Sequence, residues 1–201
     1  MVSLEPVRHA RRDWFDVAGP RREHYREATP AAVGSAVDLA PSVRRMASIT
    51  CMKAGDTAPD FTIPREDGTL VSLYEVLEKG PVVLYFYPRA LTAGCTAESC
   101  HFRDLAKEFA DVGATRLGIS ADPVERQKRF ADKHGFDFPL LSDTDRKVAA
   151  AFGVKRPGPI FNKRATFVIG TDRKVIAVIA SELDMAKHAD QALQALSQRA
   201  G

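Results

Sequence analysis

Cysteine, tryptophan and long apolar runs are all scarce in this sequence. The 201 residues include three cysteines and one tryptophan. Three cysteines are too few for the disulfide framework of a small secreted domain, so a close pair of them indicates redox chemistry, catalysis or metal binding. No stretch approaches the roughly 18 consecutive apolar residues of a membrane span, and no basic-then-apolar signal sequence opens the chain. We therefore expect a cytoplasmic protein that does not enter a membrane.

Charge of one sign is not in excess either. Lysine and arginine number 29 against 26 aspartate and glutamate residues, for a net charge of +3, and both signs are interspersed along most of the chain. This balance does not predict the basic surface that nucleic-acid binding requires. Hydrophobic residues make up 45% of the sequence, which is enough for the core of one α/β domain.

Residues 1–51 differ from the rest of the chain. They contain eight arginines, no lysine and no sustained hydrophobic period. We interpret them as a poorly ordered N-terminal extension that precedes one domain at residues 52–201. Met46 and Met52 each offer a later start, so one hypothesis is that the functional chain begins at one of these methionines.

From residue 55 onward, apolar periods and turn residues predict alternating strands and helices. The predicted strands are residues 61–63, 69–72, 82–87, 115–120, 139–141, 166–169 and 174–180. The predicted helices are residues 73–78, 94–111, 124–133, 143–152 and 185–198, with Asp122 as the cap of the third. An Asp-Gly turn at residues 67–68 makes the first two strands a hairpin. This pattern predicts a thioredoxin-like α/β fold, in which a mixed central sheet has helices on both faces and follows an N-terminal hairpin.

Two of the three cysteines, Cys95 and Cys100, come soon after the buried strand at residues 82–87. Cys95 is expected in the first turn of a helix, on the sheet-facing side that it shares with Phe102 and Phe109. The free amides and the dipole of a helix start favour a thiolate. A thiolate attacks peroxide oxygen to give a sulfenic acid, which a second thiol can trap as a disulfide. Cys100 is the candidate for that second thiol.

Helix geometry opposes a direct bond between these two cysteines. Five residues along an ideal helix rise about 7.5 Å and rotate about 140°, so the two Cα atoms would lie about 8 to 9 Å apart. A disulfide requires Cα atoms within about 7 Å. A bond between Cys95 and Cys100 therefore requires the start of the helix to unwind. The alternative at this point is that both cysteines are small buried apolar residues.

The segment from Pro88 to Cys95 resembles the Pro-x-x-x-Thr-x-x-Cys signature of peroxiredoxins. The Cys-Thr-x-Glu-x-Cys spacing at residues 95–100 is similar to that of the bacterioferritin comigratory protein or peroxiredoxin Q branch. Shorter matches lie at residues 55–61, 138–143 and 164–169, so the resemblance covers roughly residues 52–199. It is carried by several separated segments rather than by one motif.

The resemblance implies a role for each of five residues. Cys95 would be the peroxidatic nucleophile and Cys100 the resolving cysteine, joined as a Cys95–Cys100 disulfide during turnover. Thr92 would place a hydroxyl at the peroxide site, and Pro88 would shield the thiolate from water. Arg164 would stabilise the thiolate, because its planar fork of donors is always charged and can hold sulfur and peroxide oxygen together.

The resemblance also implies a reaction and its partners. The protein would reduce hydrogen peroxide or an organic hydroperoxide without metal, flavin or haem, and thioredoxin or a similar dithiol protein would recycle it. It would be a monomer. The chain departs from the family pattern at Ala93, where many relatives have proline, and residues 89–91 lack the usual acidic residues. Glu98 is left outside the predicted site, because a glutamate in the first turn of a helix is favourable for dipole reasons alone.

Two other functions remain open from the residues. A thioredoxin-like disulfide reductase without peroxidase activity would share the fold, but it needs Cys-x-x-Cys, and position 98 is glutamate. A zinc-binding module would use Cys95, Cys100 and His101, although neighbouring helical side chains point about 100° apart. His101, His134 and His188 are otherwise predicted to be exposed helix residues.

Overall fold

The computed structural model describes residues 51–200, so the predicted extension at residues 1–51 lies outside it except for Cys51. The strands are β1 Thr62–Pro64, β2 Leu70–Ser72, β3 Val82–Phe86, β4 Thr115–Ser120, β5 Leu140–Ser142, β6 Ala165–Ile169 and β7 Val175–Ala180. The helices are α1 Leu73–Leu77, α2 Ala93–Asp104, α3 Ala106–Asp111, α4 Val124–His134, α5 Lys147–Ala151 and α6 Ala186–Ala200. Within this part of the chain no helix has the length and hydropathy needed to span a bilayer.

The central sheet has five strands in the order β5-β4-β3-β6-β7. The continuous apolar run of β3 occupies the middle, and all five of its residues are buried, as expected for a strand covered on both faces. Strands β3, β4 and β5 are parallel to one another, whereas β6 is antiparallel to both β3 and β7. The predicted mixed sheet is therefore confirmed.

Helices cover both faces of this sheet. On one face, Leu84 of β3 lies in the same apolar core as Leu73 of α1 and Phe152 at the end of α5. On the other face, Tyr85 stacks on Phe102 of α2 with ring centroids 4.3 Å apart, in the core that α3, α4 and α6 also enter. Side chains alternate between the faces of a strand, so consecutive residues of β3 enter different cores. This second core positions the start of α2.

The N-terminal hairpin is also as predicted. Strands β1 and β2 pair antiparallel as a separate two-stranded sheet. The turn is closed by a hydrogen bond of 2.9 Å from the Gly68 amide to the Arg65 carbonyl. Gly68 has a φ of +86°, a backbone conformation that glycine adopts without strain.

Two predicted helices differ from the structure by more than a shift of one or two residues at their ends. The helix expected over residues 94–111 is interrupted at Leu105, whose φ of −94° and ψ of +23° separate α2 from α3. The helix expected over residues 143–152 begins only at Lys147. Arg146 has a left-handed φ of +58°, and the Asp143 carboxylate accepts hydrogen bonds from the amides of Val148 and Ala149 at 3.1 and 2.8 Å. Asp143 thus caps α5 from outside instead of joining it.

Candidate active site around Cys95

Cys95 lies in the first turn of α2 and is 1% exposed. Thr92 is the N-cap residue of this helix, and the first helical hydrogen bond runs from the Thr96 amide to the Thr92 carbonyl at 2.8 Å. The amides of residues 93–95 therefore have no helical acceptor and leave partial positive charge beside the thiol. Cys95 lies in the second core together with Phe102 and Phe109, as its helical spacing predicted.

Strand pairing brings Arg164 to the same point. Ala165 of β6 lies opposite Phe86 of β3, so the residue before β6 is adjacent to the loop that follows β3. The Nη2 atom of Arg164 lies 3.3 Å from the Sγ atom of Cys95, although the two residues are 69 positions apart. The arginine is 5% exposed. Burial lowers the pKa of its guanidinium, but Glu98 and Cys95 raise that pKa by more, so Arg164 stays charged.

Pro88 and Thr92 lie in the loop between β3 and α2. Pro88 is half-buried and follows Tyr87 at the end of the strand. Thr92 is exposed, and its Oγ1 atom donates a hydrogen bond of 2.9 Å to the carbonyl of Arg89 instead of accepting one from the helix amides. The Thr92 hydroxyl thus has its proton engaged and its lone pairs free. The following residue, Ala93, is the first of α2, a position at which proline is also well tolerated.

The side chain of Asp122 hydrogen-bonds to the backbone of the loop between β3 and α2. The amide of Ala90 donates to Asp122 Oδ2 at 2.7 Å, and Arg126 Nη2 donates to the Ala90 carbonyl at 3.1 Å. Leu91 has a left-handed φ of +67°, a strained conformation for a leucine that these contacts maintain. The prediction that Asp122 caps α4 is wrong, because Pro123 takes the cap position and the carboxylate of Asp122 faces the loop.

Cys100 lies further along α2, is partly exposed and is a free thiol, as are Cys51 and Cys95. The helix is continuous from Ala93 to Asp104, so the two cysteines of the site are separated by more than one helical turn. Their arrangement agrees with the geometric expectation that a bond between them requires unwinding. The resolving role of Cys100 remains a prediction.

Two residues that sequence reasoning left out belong to this site. Glu98 is fully buried, and its Oε2 atom accepts a hydrogen bond from Arg164 Nη1. Burial raises the pKa of Glu98 to about 8, against the opposing effect of Arg164. A signal was available in the spacing, because position 98 follows Cys95 by three residues and precedes Phe102 by four, on the same helix face.

The prediction that His188 is exposed is wrong, because His188 is 0% exposed in α6. Its Nδ1 atom lies 2.9 Å from Thr166 Oγ1, and its Nε2 atom lies 2.9 Å from the Ser181 carbonyl oxygen. The spacing to Ala192 and Leu196, both buried, placed it on the inner face of the helix. His101 and His134 are partly exposed.

The residues named for a zinc site do not assemble one. His101 Nε2 lies 2.8 Å from Asp190 Oδ1, at the surface between α2 and α6. Across residues 51–200, no three histidine, cysteine, aspartate or glutamate side chains come close enough together to hold a metal ion. No observation on this part of the chain favours the zinc-binding module.

Comparison with known proteins identifies the family. The AhpC/TSA family matches residues 54–178, a range that contains Cys95, Cys100 and Arg164. Peroxiredoxin Bcp of Escherichia coli K12 is 38% identical over 155 residues, which cover 74% of this chain and 98% of the relative. The chain belongs to the AhpC/TSA family, as a peroxiredoxin.

Solved structures of similar proteins share the fold of this peroxiredoxin and come from the bacterioferritin comigratory protein branch of the family. Peroxidoxin BcpB from Mycobacterium tuberculosis has 57% sequence identity and a TM-score of 0.72, covering 73% of this chain and 97% of its own. The bacterioferritin comigratory protein of Xanthomonas campestris, whose structures concern alkyl peroxide reduction, has 33% identity and a TM-score of 0.65, covering 70% and 92%. The family resemblance and the thioredoxin-like fold are therefore confirmed, and the activity of the peroxiredoxin family is that of a thiol-dependent peroxidase.

The loop anchor gives a first prediction for this peroxiredoxin. Asp122→Ala leaves the Ala90 amide and the Ser120 hydroxyl without their acceptor, at a cost of about 2 kcal/mol in the free energy of unfolding. Because the same loop leads into α2, we expect kcat/KM for peroxide to fall about tenfold through misplacement of the site. Urea unfolding and steady-state peroxide assays measure both effects. Asp132→Ala on the exposed side of α4 is the control, and equal behaviour of the two variants would contradict the anchoring role.

Proposed function

We propose that this peroxiredoxin reduces hydrogen peroxide and organic hydroperoxides with Cys95 as its nucleophile. The observation that carries the proposal is the distance of 3.3 Å between Arg164 Nη2 and Cys95 Sγ at the buried start of α2. A guanidinium and free helix amides on one thiol favour the thiolate, the form that reacts with peroxide. The alkyl peroxide reduction described for the Xanthomonas campestris relative supports organic hydroperoxides as substrates.

In the first step the Cys95 thiolate attacks the terminal oxygen of the hydroperoxide. A sulfur–oxygen bond forms and the oxygen–oxygen bond breaks, so Cys95 is oxidised to a sulfenic acid while the hydroperoxide is reduced to an alkoxide or hydroxide, which takes up a proton as alcohol or water. Arg164 stabilises the negative charge as it passes from sulfur to the leaving oxygen. The free lone pairs of Thr92 Oγ1 accept a hydrogen bond from the peroxide hydroxyl, and Pro88 limits the access of water to the thiolate.

In the second step the Cys100 thiol attacks the sulfur of the Cys95 sulfenic acid. A Cys95–Cys100 disulfide forms and water leaves. Both residues lie in the continuous helix α2, so the first turns of that helix must unwind for the sulfurs to meet. Glu98, which lies between the two cysteines in sequence, leaves its buried position in this transition.

In the third step a dithiol protein reduces the disulfide by exchange, and thioredoxin is the proposed donor. Unwinding exposes the disulfide to that partner, and the reduced helix then refolds. This cycle fits a reducing cytoplasm, in which thioredoxin maintains dithiols. One chain supplies both cysteines, so a monomer is sufficient, and we propose that state for the protein.

Peroxide-driven oxidation of thioredoxin tests this proposal. The complete protein is mixed with thioredoxin, thioredoxin reductase and NADPH, and we expect NADPH consumption that depends on both the peroxide and the protein. Turnover with dithiothreitol but not with thioredoxin would reject the donor alone, whereas absence of turnover with either would reject the peroxidase role of the site. Insulin reduction should be absent, because a disulfide reductase would show it, and sedimentation analysis should give the mass of one chain.

A further inference from the structure

One oxygen of the buried Glu98 side chain has no hydrogen-bond partner. Its Oε2 atom is bound to Arg164, but its Oε1 atom is buried and unpaired. The Nδ1 atom of His188 lies 3.8 Å from Oε1. A buried carboxylate oxygen without a donor is costly, so the protonation states of Glu98 and His188 must be compatible with this arrangement.

Hydrogen bonding determines the tautomer of His188. A carbonyl oxygen accepts and cannot donate, so the 2.9 Å contact with Ser181 requires the proton to be on Nε2. In the neutral ring Nδ1 is then an acceptor, and the Thr166 hydroxyl at 2.9 Å is its donor. Burial lowers the pKa of His188 and the charge of Arg164 lowers it further, against the opposing effect of the hydrogen bond to Ser181. Because the Nδ1 lone pair accepts from Thr166 and the ring proton is on Nε2, His188 has no hydrogen to donate to Glu98.

An ionised Glu98 would be poorly accommodated beside this ring. Its Oε1 atom would be a buried, charged acceptor to which the ring offers no donor. A neutral Glu98 removes the buried charge from Oε1, while Oε2 still accepts from Arg164. Since a neutral acid does not cancel the guanidinium charge, that charge acts on the sulfur of Cys95.

We propose that His188 is a positioning residue, which keeps Glu98 a neutral acid and thereby directs the charge of Arg164 onto Cys95. The proposal rests on the role of Arg164 in the proposed function. Burial supports it independently, because it is the main reason that the pKa of Glu98 rises to about 8. Glu98 would then be largely neutral at pH 7 and ionised at pH 9.

The other charged and titratable groups around this pair do not reverse the argument. Those around Glu98 are Arg164, Tyr85 and Glu182 from other elements and Cys95 in its own helix. Arg164 lowers the pKa of Glu98 and Glu182 raises it, and Tyr85 is neutral because burial raises its own pKa far above the usual range. Around His188, Asp184 raises the pKa and Lys187 lowers it, so these two groups oppose each other.

A fall in activity at alkaline pH follows from the proposal. Below pH 8 Glu98 is neutral, and above it the carboxylate competes with the Cys95 thiolate for Arg164. We expect kcat/KM for peroxide to fall about tenfold from pH 7 to pH 9, the effect of one pKa unit of lost stabilisation. Simple thiol chemistry would give the opposite trend, because a larger thiolate fraction raises the rate.

The direct test is nuclear magnetic resonance on the reduced protein, which needs no catalytic turnover. Nitrogen-15 shifts should show His188 as the neutral Nε2–H tautomer at pH 7, and the carbon-13 shift of the Glu98 carboxyl should titrate near pH 8. An imidazolium at His188, or ionisation of Glu98 below about pH 6, would overturn the proposal even in an active peroxidase. If the peroxidase function fails, these resonances still decide the protonation states.

A double-variant comparison shows whether His188 acts through Glu98. Glu98→Gln is expected to reduce the roughly tenfold ratio of kcat/KM between pH 7 and pH 9 to about 1, since the amide does not ionise. His188→Gln should change this ratio in the wild-type background and leave it unchanged in the Glu98→Gln background. His101→Gln, at the partly exposed histidine of α2, is the matched control and should keep the wild-type ratio. An equal change in both backgrounds would refute the proposal, and the Glu98→Gln profile still tests it if His188→Gln does not fold.

Discussion

Cys95→Ser is expected to abolish peroxide-driven turnover, with kcat falling by a factor of about 10⁴ or more. The serine hydroxyl occupies the same place beside Arg164 but does not ionise at neutral pH, so no nucleophile attacks the peroxide oxygen. Because the residue is buried and the replacement is nearly isosteric, we expect the fold to be retained. The measurement is thioredoxin-coupled NADPH oxidation, with circular dichroism to verify folding.

The other two cysteines provide the matched comparison. Cys100→Ser should consume one equivalent of peroxide and stop, with a mass gain of one oxygen or a mixed disulfide at Cys95, because no resolving thiol is present. Cys51→Ser removes an exposed thiol away from the site and should turn over like the wild type. Full activity of Cys95→Ser would show that the nucleophile is assigned to the wrong residue. Full multiple turnover by Cys100→Ser would reject the Cys95–Cys100 disulfide.

Arg164→Gln is expected to lower kcat/KM for peroxide by about 10² to 10³, the usual effect of removing one preorganised donor from a developing charge. The amide can still accept and donate hydrogen bonds, but it has no positive charge for the thiolate. Arg164→Lys retains the charge and loses the planar fork, which contacts Cys95 and Glu98 through different nitrogen atoms. We expect a smaller loss for lysine, about tenfold. Competition kinetics against a reference peroxidase measure both constants.

Stability separates the chemical effect of Arg164 from a structural one. Removing the arginine leaves Glu98 buried without its partner, and an ionised carboxylate there would cost about 3 to 5 kcal/mol. A neutral Glu98 loses only a hydrogen bond, about 1 kcal/mol, so the free energy of unfolding should fall little at pH 7. Arg129→Lys on the exposed side of α4 is the control. A wild-type rate in both Arg164 variants would remove the guanidinium from the mechanism.

Local chain features made much of the site predictable. Pro88, Thr92 and Cys95 lie in one loop and the helix turn that follows it, so their relation depends on a few adjacent backbone angles. The helix start was signalled by the end of the apolar strand and by the helical spacing of Cys95, Phe102 and Phe109. The same local logic found the hairpin turn at Gly68, whose left-handed φ of +86° is permitted by the absence of a Cβ atom.

Two of the three errors occurred where a side chain made a contact distant in sequence. Asp122 is a residue type that favours helix caps, yet it accepts a hydrogen bond from the amide of Ala90, 32 residues earlier. Asp143 is the local exception, because it was predicted inside a helix that it instead caps through amides five and six residues later. His188 has the polarity of a surface residue, but its two nitrogen atoms find partners within the core. In each case an available buried partner decided the outcome over the local preference of the residue.

The sequence by itself determined the order of strands and helices, the spacing of the two thiols and, through family resemblance, the chemistry proposed for Cys95. Tertiary structure decided which groups surround that thiol. Arg164 reaches it because β6 pairs with β3 in one register, and Glu98 and His188 meet because α2 and α6 pack on the same face of the sheet. The physical reason is that burial and electrostatic coupling depend on distances in space, which chain periodicity does not encode.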